Sequence, residues 1–229
     1  MKRIFLSILM LLTMAVAQAQ TTTVQLLPTK EAGPWPCAYY LLNSNEELSQ
    51  LEPKTWAGRC VCEDDWIQGY GPLSNSPDAF RTTPWGSEVQ PLLVRRHFTM
   101  TADDMAALAK STVTLTCSYD EHPRLYLNGV LLWSYDGWND NDYAARTFTS
   151  RHKALLREGD NVLAVSLKQG AGGGHIDYGL TMTLPSGYDT IQSVIDERND
   201  KEAVYNLVGI RQVHASGIYV KGNRLFTNK

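Results

Sequence analysis

The sequence predicts an all-β protein, a β-sandwich followed by a small β tail, and three observations support this. Stretches in which apolar and polar residues alternate recur along the chain, with the period of a half-buried strand. An Asn-Gly pair at residues 128–129 separates two apolar runs, which is the strongest short signal for a β-hairpin. Many short strands joined by turns, without a strand-helix-strand alternation, favour a sandwich.

The first strands of the predicted core lie between residues 92 and 117. Residues 92–99 are typical of a strand, and in residues 112–117 threonines alternate with apolar side chains, which predicts a second strand. Between them, Thr101 and the acidic residues that follow it have the pattern of an N-cap and a first turn. We therefore expect a short helix that extends to Lys110.

The predicted hairpin covers residues 124–133. Both central residues of a type I′ turn have positive φ, which asparagine and glycine tolerate. A two-residue turn pairs Leu127 with Val130 and Leu125 with Leu132, so these four side chains should share one side of the sheet. The opposite side then carries Tyr126, Leu131, Trp133 and Tyr135.

A turn is expected at residues 155–161, a strand at 162–168 and a second strand at 175–184, with a glycine-rich loop at 170–174 between the strands. This loop follows a strand, as a phosphate-binding loop does. It leads into another strand, however, and not into a helix whose N-terminus could bind phosphate. The sequence therefore argues against a nucleotide site.

The predicted organisation has four parts. Residues 1–19 combine a basic start, an apolar run and an Ala-x-Ala sequence, the pattern of a secretory signal peptide. The sandwich is expected at 20–187, a polar linker at 188–202 and the small β tail at 203–229. We thus expect a secreted protein of the periplasm or the outer cell surface. No later stretch has the roughly 18 consecutive apolar residues of a membrane span.

Composition narrows the function classes. The net charge is −3 and no stripe of lysine and arginine is visible, so a nucleic-acid partner is not expected. Hydrophobic residues make up 43% of the chain, enough for a core that does not depend on disulfides.

The four cysteines are Cys37, Cys60, Cys62 and Cys117, and their pairing stays open among three connectivities. In a strand, Cys60 and Cys62 would point to one face, which argues against a bridge between them. A buried free thiol is the favoured interpretation of Cys117.

Several motifs resemble a known family in their order along the chain: VRRHF at 94–98, LYLNG at 125–129, EGDNVLAV at 158–165 and GGGHIDYGL at 172–180. Together they resemble the galactose-binding-like jelly-roll module of secreted Bacteroides-type glycan-processing proteins, which accompanies glycoside hydrolases. DDWIQGYGPLSN at 64–75 resembles an early segment of that module. The resemblance implies a sandwich without its own chemistry, which binds sugars through loops at one end or packs on another domain. The tail at 203–229 resembles short C-terminal sorting elements of such proteins.

The stretch WSYDGWNDNDY at 133–143 is the candidate site. Aromatic rings stack on the apolar faces of sugars, while Asp and Asn bind hydroxyls. With one histidine-aspartate pair on a later strand, the predicted carbohydrate contacts are Trp133, Tyr135, Trp138, Asn139, Asp142, Tyr143, His175 and Asp177. The resemblance gives Tyr143 an architectural role, and a plain turn rich in Asp and Asn is the alternative around Trp138.

No cofactor is expected apart from calcium, for which Asp136 and Asp140 are candidate ligands. Their spacing lacks the glycine of an EF-hand loop.

Three functions follow from these features. The first is a non-catalytic carbohydrate-binding module, whose partner is a glycan. The alternative is an assembly protein of the cell surface, whose partner is another protein. The third is a small glycoside hydrolase, which needs two carboxyl groups roughly 5–10 Å apart, and the sequence singles out no such pair.

Overall fold

The computed structural model describes residues 21–75, 83–85, 90–139, 142–170 and 172–184, together with four short strands between residues 204 and 227. Residues Thr22–Pro185 form one compact unit, and the C-terminal strands belong to a second. The predicted signal peptide at 1–19 and the predicted linker at 188–202 lie outside the described residues.

Twelve strands build the described part of the sandwich: β1 (Thr22–Leu27), β2 (Trp35–Leu41), β3 (Ile67–Gly71), β4 (Leu73–Ser74), β5 (Thr83–Pro84), β6 (Leu92–Met100), β7 (Thr112–Asp120), β8 (Pro123–Leu127), β9 (Val130–Ser134), β10 (Ala144–Thr147), β11 (Gly159–Leu167) and β12 (His175–Leu184). Sheet A has the order β10-β7-β12-β4-β5, and β1 pairs with β12 beside β4. Sheet B has the order β3-β2-β6-β11-β8-β9. The prediction of an all-β sandwich is confirmed.

Short helices connect the strands: a 3-10 turn (Lys30–Ala32), α1 (Asn45–Gln50), α2 (Pro53–Trp56), α3 (Ala102–Leu108) and α4 (Ser150–Lys153). The predicted helix is α3, and its start is fixed by a capping box. The Thr101 hydroxyl accepts from the Asp104 N–H at 3.1 Å, and the Asp104 carboxylate accepts from the Thr101 N–H at 2.8 Å. Within the described ranges, none of these helices has the length and apolar character to cross a membrane.

The main core lies between the two sheets. Sheet B contributes fully buried side chains from its central strands: Val94, Leu125, Leu127, Leu163 and Val165. Sheet A contributes Leu115, Ile176, Tyr178 and Leu180. This burial of apolar surface is the main favourable contribution to folding.

A second apolar layer covers the outer face of sheet B, because the segment with α1 and α2 packs on it. The buried members of this layer are Leu42, Trp56, Ala57, Leu93, Tyr126, Val162 and Ala164. The rings of Trp56 and Tyr126 meet edge to face with centroids 5.1 Å apart. Strands β6 and β11 are therefore buried on both faces, so their sequences are more continuously apolar than those of half-buried strands.

The hairpin of β8 and β9 turns at Asn128-Gly129 as predicted, with φ of 53° and 87°. The Asn128 side chain also binds neighbouring backbone. Its Oδ1 accepts from the Val162 N–H at 2.9 Å, and its Nδ2 donates to the Leu155 carbonyl at 2.8 Å. The turn is thus anchored to the start of β11.

The predicted register of this hairpin is wrong beyond its first two pairs. An irregularity between Leu125 and Tyr126 makes Leu125 pair with Trp133 and not with Leu132. Trp133 therefore shares the core side with Leu125, and its ring lies 5.5 Å from that of the buried Phe148. Strict alternation holds only along an uninterrupted ladder, whereas a bulge adds one residue and reverses the alternation beyond it.

All four cysteines are free thiols. Cys37 and Cys117 are buried, and the interpretation of Cys117 as a buried free thiol is confirmed. Cys60 and Cys62 are exposed in the loop after α2. Neither cysteine lies in a strand, so strand geometry does not determine where their side chains point.

The described C-terminal strands are β13 (Val204–Asn206), β14 (Arg211–Gln212), β15 (Ile218–Lys221) and β16 (Arg224–Thr227). They form an antiparallel sheet in the order β14-β13-β15-β16. The proposed sorting role of this tail stays a prediction.

Candidate functional site

Asn139 fastens the loop after β9 to strand β7. Its Oδ1 accepts from the Tyr119 N–H at 2.8 Å, and its Nδ2 donates to the carbonyls of Cys117 at 3.1 Å and of Asp142 at 2.6 Å. The Asn139 N–H donates to the Tyr119 carbonyl at 3.2 Å. These bonds fix the loop backbone, so Asn139 positions its neighbours.

Trp138 is the large apolar residue that this loop presents to solvent, with 62% of its surface exposed. Its backbone forms an isolated bridge with Asp120. The preceding Gly137 donates its N–H to Nδ1 of His122 at 3.0 Å and accepts from the His122 N–H at 2.9 Å. Trp138 is thus an exposed indole on a backbone that is held on both sides.

A cleft of about 330 Å³ lies beside this loop on the outer face of sheet B. Its floor is formed by side chains of β8 and β11 and the residue after β11: Arg124, Tyr126, Ser166 and Lys168. One wall comes from α1, α2 and their connection: Asn45, Leu48, Ser49, Leu51, Pro53 and Trp56. The facing wall consists of His122, Ser134, Tyr135 and Asp136. This volume lies at the lower end of the usual range for small-ligand sites.

The α1 wall is tied to the end of β11. Nδ2 of Asn45 donates to the Gln169 carbonyl, and the Gln169 N–H donates to Oδ1 of Asn45 at 3.0 Å. Ser44 caps α1 by accepting from the Glu47 N–H at 3.2 Å. Both anchors hold the wall in place without a ligand.

The cleft contains both kinds of charge. Arg124 and Lys168 are exposed, and among the described residues neither has a carboxylate within 4.0 Å. Asp136 is fully exposed at the rim. Nδ1 of His122 accepts from the Gly137 N–H at 3.0 Å, and its Nε2 lies 3.3 Å from Oε2 of Glu121.

Asp177 is buried and Tyr143 is half-buried, and neither residue lines the cleft. The fully buried carboxylate of Asp177 accepts from Nε1 of Trp35 at 2.8 Å, from the Lys30 N–H at 2.9 Å and from the Tyr143 hydroxyl. Burial, and then the hydrogen bond to Asp177, raise the pKa of Tyr143. These contacts give Asp177 and Tyr143 structural roles, in contrast to the sugar contacts predicted for them.

His175 is buried as well, and its Nε2 lies 3.0 Å from Oγ of Ser118. Trp133 packs on Phe148 and on His152, whose ring centroid is 4.7 Å away. Neither predicted contact faces the cleft.

The remaining predicted residues lie closer to the cleft and the loop. Tyr135 lines the cleft, half-buried against the ring of Tyr119 at 4.9 Å. Asp142 is exposed at the end of the loop. Of the candidate calcium ligands, Asp136 lies at the rim and Asp140 is outside the described residues. Among the residues that the structure describes, no group of three His, Cys, Asp or Glu side chains could hold a metal ion.

A separate group of charged side chains fastens the loop after α2 to sheet B. Glu63 accepts from Nε of Arg95 and lies 2.9 Å from Nε2 of His97, whose Nδ1 lies 3.0 Å from Asp160. Burial of the His97 ring disfavours its charged form, but the hydrogen bonds and charges of Glu63 and Asp160 outweigh this and raise its pKa. Burial would raise the pKa of Glu63, but its bonds to Arg95 and His97 lower it.

Sequence reasoning missed most of the cleft. Arg124 and Tyr126 alternate with the buried Leu125 and Leu127, so the period of two already placed them together on the outer face of β8. The wall from α1 and α2 had no such signal, because a helix of a few residues shows no periodicity.

This chain is similar in fold to parts of several solved structures, whose own chains are much longer. A beta-glucuronidase from an uncultured Clostridium species is 12% identical, with a TM-score of 0.48, and covers 72% of this chain and 29% of its own. A Bacteroides uniformis beta-glucuronidase is 16% identical, with a TM-score of 0.45, and covers 71% of this chain and 18% of its own. A beta-D-mannosidase from Dictyoglomus thermophilum is 18% identical, with a TM-score of 0.38, and covers 64% of this chain and 16% of its own.

At these identities and scores, the likeness carries no inference about activity. The chain spans less than a third of the length of each of these three enzymes. No protein-family model matches the sequence, and no curated protein matches it.

Proposed function

We propose that the sandwich is a non-catalytic carbohydrate-binding module, with Trp138 as a stacking platform beside the cleft. The observation that carries this proposal is the 62% exposure of an indole on a backbone pinned by Asn139 and His122. A largely exposed indole on a fixed loop suits stacking on the apolar face of a sugar.

The cleft supports binding over hydrolysis. Its walls are anchored through Asn45 and His122, so little ordering is required when a ligand enters. Hydroxyl groups of Ser49, Ser134 and Ser166 offer hydrogen bonds of the kind that sugar hydroxyls make. Of the described lining residues, Asp136 alone is a carboxylate, whereas a glycosidase uses two.

The test is affinity electrophoresis and calorimetry on a panel of soluble plant and bacterial polysaccharides. We expect Trp138→Ala to weaken binding at least about tenfold, which corresponds to about 1.4 kcal/mol. Trp138→Phe should keep most of the affinity, because a smaller ring still stacks. The matched control is Tyr70→Ala, which removes another exposed ring, 57% accessible, from strand β3.

Two outcomes contradict the proposal. One is that no polysaccharide in the panel binds the wild type. The other is that Trp138→Ala and Tyr70→Ala bind as the wild type does.

We further propose that the protein is exported, that its mature chain begins at Gln20, and that the 203–229 tail sorts it to the cell surface. The pattern at residues 1–19 supports export. Mass spectrometry of the native N-terminus, and surface labelling of cells with and without residues 203–229, test these points. A retained residue 1 would exclude cleavage, and unchanged labelling would exclude a sorting role.

An assembly role is the second candidate, because both edge strands of sheet B expose apolar side chains. β3 exposes Ile67 and Tyr70, and β9 exposes Val130 and Leu131. Edge strands also present unpaired backbone groups to a partner. Light scattering at increasing concentration of the wild type, Tyr70→Lys and Leu131→Lys tests self-assembly. An oligomer that dissociates in Tyr70→Lys or in Leu131→Lys supports this role. A wild type that is monomeric at all concentrations contradicts self-assembly.

A further inference from the structure

We propose that the cleft selects an acidic saccharide, which it holds by its negative groups between Arg124 and Lys168. This inference rests on the proposed carbohydrate binding and adds the class of ligand. It concerns the floor of the cleft, whereas the stacking role concerns Trp138 on the loop beside it.

The strand register places the two cations together. Arg124 of β8 pairs with Ser166 of β11, and Lys168 follows Ser166 by two residues. Because side chains two apart on an extended chain point to one side, all three line the same cleft. Diagonal neighbours on a sheet have their Cβ atoms about 7–8 Å apart. An ammonium and a guanidinium at that spacing can hold one carboxylate or sulfate, or two on neighbouring sugar units.

These cations differ from the other arginines of sheet B. Arg95 on the same outer face is paired with Glu63, and Arg96 in the core donates to the carbonyls of Pro28 and Tyr178. Arg124 and Lys168 have no such carboxylate among the described residues, and both remain exposed. Their charges are therefore free to bind an anion.

The cleft is more positive than the protein as a whole. The chain carries a net charge of −3, while the described lining of the cleft combines two cations, Arg124 and Lys168, with one carboxylate, Asp136. A concave surface concentrates such a local field. The rings of Trp56 in the wall and Tyr126 in the floor, together with the serine hydroxyls, suit a sugar ring better than a small inorganic anion.

The experiment uses pairs of polysaccharides in which one member keeps its acidic groups and the other has a neutral group in their place. They are polygalacturonate with its fully methyl-esterified form, and chondroitin sulfate with chemically desulfated, carboxyl-reduced chondroitin. Calorimetry on the full-length chain compares the wild type with the double variant Arg124→Gln/Lys168→Gln. The matched control is Lys110→Gln/Arg157→Gln, which removes the same charge at two exposed sites outside the cleft.

We expect the wild type to bind the charged member of at least one pair at least about tenfold more tightly than the neutral member. The cleft double variant should lose at least about tenfold in affinity for it, and the control less than about twofold. Asp136→Asn should strengthen this binding, because it removes the negative charge at the rim. Equal thermal unfolding midpoints establish that the variants are folded.

The outcomes separate the two proposals. Binding that does not distinguish the members of any pair, or an equal loss in both double variants, overturns the acidic ligand and leaves carbohydrate binding intact. Absence of binding to any polysaccharide overturns carbohydrate binding itself, and this inference with it. Preference for the charged member of one pair alone identifies which of the two acidic polymers the cleft accepts, and either result supports the inference.

Discussion

The indole N–H of Trp35 donates to the Asp177 carboxylate at 2.8 Å, and both residues are fully buried. Trp35 lies in sheet B and Asp177 in sheet A, so this hydrogen bond joins the two halves of the sandwich. The same carboxylate accepts from the Lys30 N–H and from the Tyr143 hydroxyl. A buried carboxylate is tolerated because all three donors point to it.

Asp177→Ala should therefore destabilise the fold by about 3–5 kcal/mol, because it removes the shared acceptor of these three donors, of which the Trp35 indole N–H is fully buried. Tyr143→Phe, which removes one donor, should cost about 1.5–3 kcal/mol. Urea unfolding followed by tryptophan fluorescence measures both. A loss below about 1 kcal/mol for Asp177→Ala would show that this network does not hold the sheets together.

Arg96→Lys should destabilise the protein by about 2–4 kcal/mol, although the charge is kept. The planar guanidinium of Arg96 stacks on Trp35 at 4.0 Å and donates to the carbonyls of Pro28 and Tyr178. A lysine ammonium cannot reproduce that planar stack and the two donors together. Arg124→Lys is the control, since this exposed side chain should tolerate the change, and equal unfolding midpoints for both variants would contradict the argument.

Stability should fall as pH rises above neutrality, because of His97. Its pKa is raised in the folded state by Glu63 and Asp160, so its contribution is complete below about pH 6.5 and is lost as pH passes the raised pKa. Glu63 has a lowered pKa, so its contribution persists above about pH 4.5 and is lost as pH falls through the lowered pKa. The contribution of Glu63 and His97 to the stability of the fold is thus greatest between about pH 4.5 and 6.5.

Urea midpoints of the wild type and His97→Gln at pH 5.5 and 8.5 measure this effect. The wild type should lose more stability between the two values than the variant does. The extra loss in the free energy of unfolding of the wild type should stay below about 1 kcal/mol, because solvent screens these half-exposed groups. Identical pH profiles would assign no role to His97.

The four thiols should react with a disulfide reagent at two different rates, because two of them are exposed and two are buried. Cys60 and Cys62 are exposed and should react in the native protein. Burial raises the pKa of Cys37 to about 12 and raises that of Cys117, so both should react after denaturation only. The protein is reduced, freed of reductant and then partly labelled, and mass spectrometry without further reduction locates the labels. Rapid native labelling of Cys117 would contradict its position in the core.

Local patterns predicted the elements whose signal is complete within a few residues. The Asn128-Gly129 turn and the Thr101 cap are such cases, because each requires particular residue types at fixed positions. The segment of α1 and α2 was missed, since its few residues become ordered by packing on Tyr126 and its neighbours, far along the chain. The bulge in the hairpin left no trace in the apolar alternation either.

The candidate site shows the same limit. Trp138 and Tyr135 could be selected because aromatic residues near Asp and Asn are typical of sugar sites. Asp177 carries the same carboxylate group as a sugar-binding aspartate. Its structural role, however, depends on Trp35, which is 142 positions away in the sequence. Arg124 and Lys168 are neighbours because β8 pairs with β11, and no local pattern shows which strands will pair.

The floor of the cleft and its α1 wall come from two different kinds of structure. The floor belongs to central strands that carry the fold, while the wall of α1 and α2 comes from a connection between strands. Substitutions in that wall can thus change which saccharide fits without a large loss of stability. This arrangement separates the evolution of specificity from the preservation of the scaffold, and it makes Ser49, in α1, a suitable first position for engineering altered recognition.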